Sequence, residues 1–212
     1  PRISTGNFWH KKIYHDQVWL DGLYMMQVFY TRYEKTFTNG KHYSDIIKQF
    51  RNVRKLMFDD KKKLYYHGYD ESKTLFWANK KTGLSQNFWL RAQGWLLAGL
   101  VDVASYIDDI SIQDELCTLL LEALDGILKY QDKETKLFYN LIDRKDLAHN
   151  YLETSGSLLV AYSMLKGANE GLLPNKFFYL GKEIFDYIYQ HRFKEIDGQF
   201  TLSPTPRRGA TR

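Results

Sequence analysis

Trp89-Leu90-Arg91-Ala92-Gln93-Gly94-Trp95-Leu96-Leu97-Ala98-Gly99 decides how this chain is read. An aromatic opens the segment, a charged residue follows two places on, and small residues recur at 92, 94, 98 and 99. The same pattern begins two other segments, Trp19-Leu20-Asp21-Gly22 and Tyr151-Leu152-Glu153-Thr154, the second continuing with Ser155, Gly156 and Ser157. A glycine inside a helix costs about 1 kcal/mol relative to alanine. Helices this rich in small residues therefore depend on packing, and small side chains are what allow neighbouring helix backbones to approach closely.

Working outward, each of these helices is followed by a second, more ordinary one. In the first pair Ile46, Ile47, Phe50, Val53, Leu56 and Met57 form an apolar stripe with Lys and Arg opposite. Periodicity predicts helices over 16–37, 43–58, 87–107, 113–131, 151–166 and 176–193. Between pairs runs a short aromatic element after an acidic turn: Lys63-Leu64-Tyr65-Tyr66-His67, Lys136-Leu137-Phe138-Tyr139-Asn140 and, more weakly, Gly198-Gln199-Phe200-Thr201-Leu202. These read as short strands returning the chain to the next inner helix. Three helical hairpins with a long repeat predict an all-α fold of the (α/α)6-barrel type, a six-hairpin toroid of which residues 1–202 supply about three hairpins. Residues 203–212, with Pro204, Pro206 and three arginines, read as a flexible tail. The opening Pro1-Arg2-Ile3, without Met, points to processing or truncation.

A chain of 212 residues that is 44% hydrophobic is globular. Its 16 Tyr, 13 Phe and 5 Trp serve a core or sugar-binding surfaces equally well. The net charge of +5 favours an anionic partner. Lys and Arg are interspersed with acids, however, so no nucleic-acid face is expected, and Lys61-Lys62-Lys63 reads as a solvated turn. No apolar run is long enough for a membrane span. The six histidines are dispersed and no phosphate loop is present, so no metal or other cofactor is expected. Cys117 sits among Leu116, Leu119, Leu120 and Leu121 as a small core residue.

Inner helix ends of a toroid converge on its cavity, which brings Asp21, Arg91 and Glu153 together with His67 and Asp70. Asp21, flanked by Trp19 and Tyr24, is a proton donor if partly desolvated; the alternative is a surface carboxylate or a structural ion pair. His67 either orients a substrate hydroxyl or is an incidental surface residue. Asp70 and Ser72 form part of the site or a turn bonded to its own backbone. Arg91 and Trp95, four apart, share a helix face suited to a uronic acid, or simply pack as a cation–π pair. Trp89 extends the aromatic wall. His10 and His15 lie close before Asp21, a weak hint.

The blocks from Phe8-Trp9-His10 to Met25, His67-Gly68-Tyr69-Asp70-Glu71-Ser72, Gly83 to Trp95, and Asn150 to Ser157 resemble, in order and spacing, the unsaturated rhamnogalacturonyl hydrolases of glycoside hydrolase family 105. The resemblance implies an (α/α)6 barrel that removes unsaturated galacturonyl residues from rhamnogalacturonan fragments of pectin by hydrating their C4=C5 bond. By position it implies Asp21 as general acid–base, with His67, Arg91 and Trp95 binding the substrate, to which the aromatic wall read above adds Trp89. It further implies residues on both sides of this stretch, including a second site aspartate. Two other outcomes stay open: a degenerate, non-catalytic carbohydrate-binding relative, and an unsaturated glucuronyl hydrolase acting on glycosaminoglycan fragments. The partner expected is an unsaturated uronic-acid oligosaccharide, with homo-oligomerisation across two exposed apolar edges.

Overall fold

In a computed structural model that describes residues 1–202, six helices form three hairpins. They are α1 (Leu20–Tyr33, continued by a π-helical turn Glu34–Thr38), α2 (Tyr43–Met57), α3 (Leu90–Tyr106), α4 (Ile110–Ile127, closed by a 3-10 turn Leu128–Tyr130), α5 (Thr154–Asn169) and α6 (Lys176–His191). The inner helices lie side by side as α1, α3 and α5, and the outer helix of each pair packs behind its partner. The expected tail, 203–212, lies outside the described residues.

Glycines set the spacing of the inner wall. A Cβ on Gly99 would stand 3.4 Å from the Tyr24 backbone, so α3 rides directly on α1. On the other flank a Cβ on Gly94 would come within 2.7 Å of Leu159 Cβ, and one on Gly156 within 2.5 Å of Leu90 Cγ. Contact this close explains why the costly glycines are there. The buried carboxylate of Asp102 on α3 then bolts α5 in place, accepting from Tyr162 Oη at 2.6 Å and Lys166 Nζ at 2.8 Å. The outer ring is stitched by two-point pairs from α2 to α4, Arg51 with Glu115 and Arg54 with Glu122. Partly exposed pairs such as these contribute about 0–1 kcal/mol each.

Inner helices begin later than their periodicity predicts, at 20, 90 and 154 rather than 16, 87 and 151. The leading aromatics are extended instead. Strand β1 (Gln17–Trp19) pairs antiparallel with β4 (Gly68–Asp70), and Trp89 bridges Leu141. Outer helices close on the expected short elements: β2 (Phe58–Asp59) pairs with β3 (Leu64–Tyr65), and β7 (Phe193–Ile196) with β8 (Gln199–Leu202). The middle repeat pairs β5 (Phe138–Tyr139) with β6 (Leu152–Glu153), the lead-in to α5. The repeat extends to backbone detail. Lys63 and Lys136 both take a positive φ, and Leu20 and Leu90 donate their N–H to the carbonyls of His67 and Asn140 at 3.1 and 2.9 Å.

The two ends of the arc are apolar and exposed. Met25, Phe29, Tyr33 and Phe37 form a stripe at four-residue spacing, 46–72% exposed. Phe185, Tyr189 and Phe193 form another on the opposite edge. Cys117 is half-buried against the core, and burial pushes its thiol up.

Candidate active site

Extended lead-in residues, not helix interiors, place the aromatic wall. Trp19 and Trp89 sit immediately before α1 and α3 in extended backbone, so both rings project at the N-terminal mouth of the inner helices. His67, between β3 and β4, is enclosed by three indoles: Trp19 edge-on at 6.5 Å, Trp89 edge-on at 6.0 Å and Trp77 at 6.4 Å. Burial pushes His67 below the usual imidazole range, opposed by a 3.3 Å contact from Nδ1 to the Asn87 carbonyl. A carbonyl only accepts, so Nδ1 carries the proton and Nε2 of the neutral ring is an acceptor. A cleft of about 730 Å³ opens beside it, lined by Tyr14, Trp19, His67, Trp77, Trp89 and Asn140 among others.

Asp21 stands on the first turn of α1, half-buried, with Oδ2 buried and unbonded. Burial raises its carboxyl above the ordinary value of 3.8, while a backbone hydrogen bond and the charges of Arg91 and Lys11 pull it down. Burial thus favours the neutral carboxyl, while the neighbouring cations favour its carboxylate. Arg91 lies on the first turn of α3 with its guanidinium 4.8 Å from the Trp89 ring centre. Trp95 instead tilts against Tyr24 at 4.8 Å. The shared-face reading thus places Arg91 and Trp95 side by side along a second, apolar cavity of about 520 Å³, while the cation–π partner is Trp89.

Two acids expected in the cluster are structural. Glu153 is fully buried as the N-cap of α5, accepting from Ser155 N, Ser155 Oγ and Gly156 N at 2.6–2.8 Å. Asp70, also fully buried, accepts from Ser72 N and Oγ, Thr74 N and Leu75 N. The turn reading of Asp70 and Ser72 describes it. Four donors engage Asp70 and three engage Glu153, so both carboxylates are committed to holding the chain's own backbone.

Sequence reasoning passed over Trp77 and Asn140 and gave His10 only weak weight. His10 stacks on Trp19 at 4.6 Å, nearly parallel, and rests on Gly22, whose Cβ would stand 3.1 Å from His10 Nδ1. Burial, with Lys11 beside it, lowers its pKa to about 4, so it is neutral at ordinary pH. Trp77 packs on Gly68. Asn140 accepts the Trp89 indole N–H at 3.0 Å. Asn140 was legible in principle, since it occupies the place of His67 in the repeat. His15 stacks on Trp9 and is exposed. Among the described residues no group of acids, histidines and cysteines could hold a metal, and no helix is long and apolar enough to cross a membrane.

An arc of α-hairpins whose inner helices present a partly buried carboxyl, an arginine and several indoles at one mouth is part of an (α/α) toroid. The chain belongs to glycosyl hydrolase family 88, whose profile matches residues 1–207. It is 38% identical to Protein Atu3128 of Agrobacterium fabrum over 145 residues, 68% of this chain and 61% of that protein. It is 26% identical over 180 residues to the unsaturated rhamnogalacturonyl hydrolase YesR of Bacillus subtilis, covering 78% of this chain and 46% of YesR. A family 105 glycoside hydrolase from C. acetobutylicum superposes with a TM-score of 0.91 at 40% identity, over 95% of this chain and 57% of that one. The chain therefore spans about half to three-fifths of the length of these relatives.

Proposed function

We propose that this chain carries the acid–base side of a glycoside hydrolase site that releases unsaturated galacturonyl residues from rhamnogalacturonan oligosaccharides. The observation that carries the reading is Asp21, a carboxyl raised by burial, with a free buried oxygen, within reach of the fields of Arg91 and Lys11. Asp21 protonates C4 of the C4=C5 enol ether, leaving positive charge shared between C5 and the ring oxygen. Water adds at C5 and returns its proton to Asp21. The hemiketal then opens and expels the leaving sugar, so atoms and protons balance with one carboxyl, where ordinary glycosidases use two. Arg91 pairs with the uronate carboxylate, the indoles and Trp95 stack on sugar faces, and His67 Nε2 accepts from a substrate hydroxyl.

The match to YesR supports the rhamnogalacturonan side of this reading. Ultraviolet absorbance of the C4=C5 bond in an unsaturated galacturonyl–rhamnose disaccharide tests it. The expected result is loss of absorbance with the native chain and none with Asp21→Asn. A folded chain that binds the disaccharide but leaves its absorbance intact would instead be a binding relative. Faster turnover of an unsaturated glucuronyl disaccharide would move the substrate to glycosaminoglycan fragments.

A further inference from the structure

The cleft beside His67 is lined by aromatic and amide side chains and reaches out to solvent. Its outer rim carries Phe76 at 87% exposure and Ile13 at 76%. A fully solvated phenylalanine contributes nothing to the core, and on a mobile loop it would be unremarkable. Here the loop is held rigidly. The buried Asp70 carboxylate takes the N–H groups of Ser72, Thr74 and Leu75, and Lys80 Nζ donates to the carbonyls of Thr74 and Leu75 at 2.7 and 2.9 Å. The turn beyond is closed by Gly83 (φ +80°), where a Cβ would lie 2.4 Å from the Asp70 carbonyl oxygen. Four fixed backbone groups immediately precede Phe76, and the next residue, Trp77, is wedged against Gly68 and Trp19.

The charge distribution across the cleft says what such a ring would meet. None of the described residues lining it is an acid, a lysine or an arginine, and His67 is held neutral. Lys11 and Arg91 act on Asp21 instead. A carboxylate finds no charged partner in the lining of this cleft, whose aromatic and amide surface suits an uncharged ring with an apolar face.

We propose that Phe76, presented by the loop that Asp70 and Lys80 hold, is the stacking platform for a neutral sugar on the leaving side of the scissile bond. The proposal rests on the reading that the cleft takes an unsaturated uronyl oligosaccharide. Asp70, Lys80 and Gly83 act through it as positioning residues. Because Phe76 is solvated, Phe76→Ala should leave the melting temperature within the scatter expected of surface changes.

Two ligands separate the parts: the unsaturated galacturonyl–rhamnose disaccharide and the methyl glycoside of unsaturated galacturonic acid, which has no leaving-side ring. Binding of both is followed by quenching of tryptophan fluorescence, and turnover by ultraviolet absorbance. Phe76→Ala should raise the disaccharide dissociation constant about fivefold more than that of the methyl glycoside, and Phe76→Trp should restore it. Equal effects on the two ligands, no effect on either, or no quenching by either would overturn the platform. Absence of turnover with both, alongside the expected difference in binding, would overturn the hydrolase reading and leave the platform standing.

Discussion

Two inner helices of the same repeat, α3 and α1, live in different surroundings. Thirteen of the 17 residues of α3 are buried, against only Leu20, Leu23, Gln27 and Thr31 of the 14 in α1. The former has an inner helix on each flank, and its glycines are used on both: Gly99 against α1, Gly94 against α5. The latter has one, and its other flank shows Met25, Phe29, Tyr33 and Phe37 to solvent. Yet the site straddles the two, with Asp21 on α1 and Arg91 on α3. What the contrast teaches is that burial along an inner helix comes from flanking neighbours, whereas at the helix mouths, where the candidate site lies, it is set by lead-in strands and aromatic rings.

The largest expected effect tests the chemistry on the poorly flanked helix. Asp21→Asn should lower turnover by at least about 100-fold, the usual scale for removing a general acid–base. It should also stabilise the fold. A carboxyl raised by burial favours the protonated form, so the stability it contributes is present below its ordinary pKa of 3.8 and lost as pH rises through the raised value. The melting temperature of Asp21→Asn should therefore exceed that of the native chain at neutral pH, with the gap closing in acid. A gap that stayed constant with pH would remove desolvation as the cause.

Next comes packing on the well-flanked helix. Gly94→Leu or Gly156→Leu should each cost about 1–3 kcal/mol or more in urea unfolding, because the added atoms meet Leu159 or Leu90 inside normal contact. A smaller loss would mean that α3 and α5 can part cheaply. Trp89→Phe removes the indole N–H and leaves Asn140 Oδ1 without its donor. A loss of about 1 kcal/mol is expected, together with weaker substrate binding by fluorescence titration. Smallest is Phe29→Ser on the exposed stripe, within about 0.5 kcal/mol in stability. Its signature is association: light scattering should show the native 212-residue chain self-associating and the variant less so. A well-behaved native monomer would contradict the view that these edges seek a partner.

Much of this arrangement was legible in the sequence. The aromatic–x–charged openings and the small residues that follow them identified three inner helices, because helix propensity alone cannot support so many glycines. The repeat also brought Asp21 and Arg91 to one mouth. It misled for Glu153 and Asp70, since equivalent positions carry equivalent backbones, not equivalent duties. Glu153 caps the helix it precedes, and Asp70 folds its own loop. Trp77 left no local signal, because its neighbours Gly68 and Trp19 are brought together by the pairing of β1 with β4, while His10 left only its closeness in sequence to Asp21.

By itself, then, the sequence determined the period, the helical hairpins and which residues lie at the helix mouths, since these follow from side-chain size and spacing along one backbone. Only the tertiary structure decided that Arg91 rides on Trp89 rather than Trp95, that His67 is boxed in by three indoles, and that Asp21 keeps a buried oxygen unbonded. Those facts depend on extended lead-ins turning rings back over the helix ends and on desolvation by residues distant in the chain. No pattern of neighbours in sequence encodes either one locally.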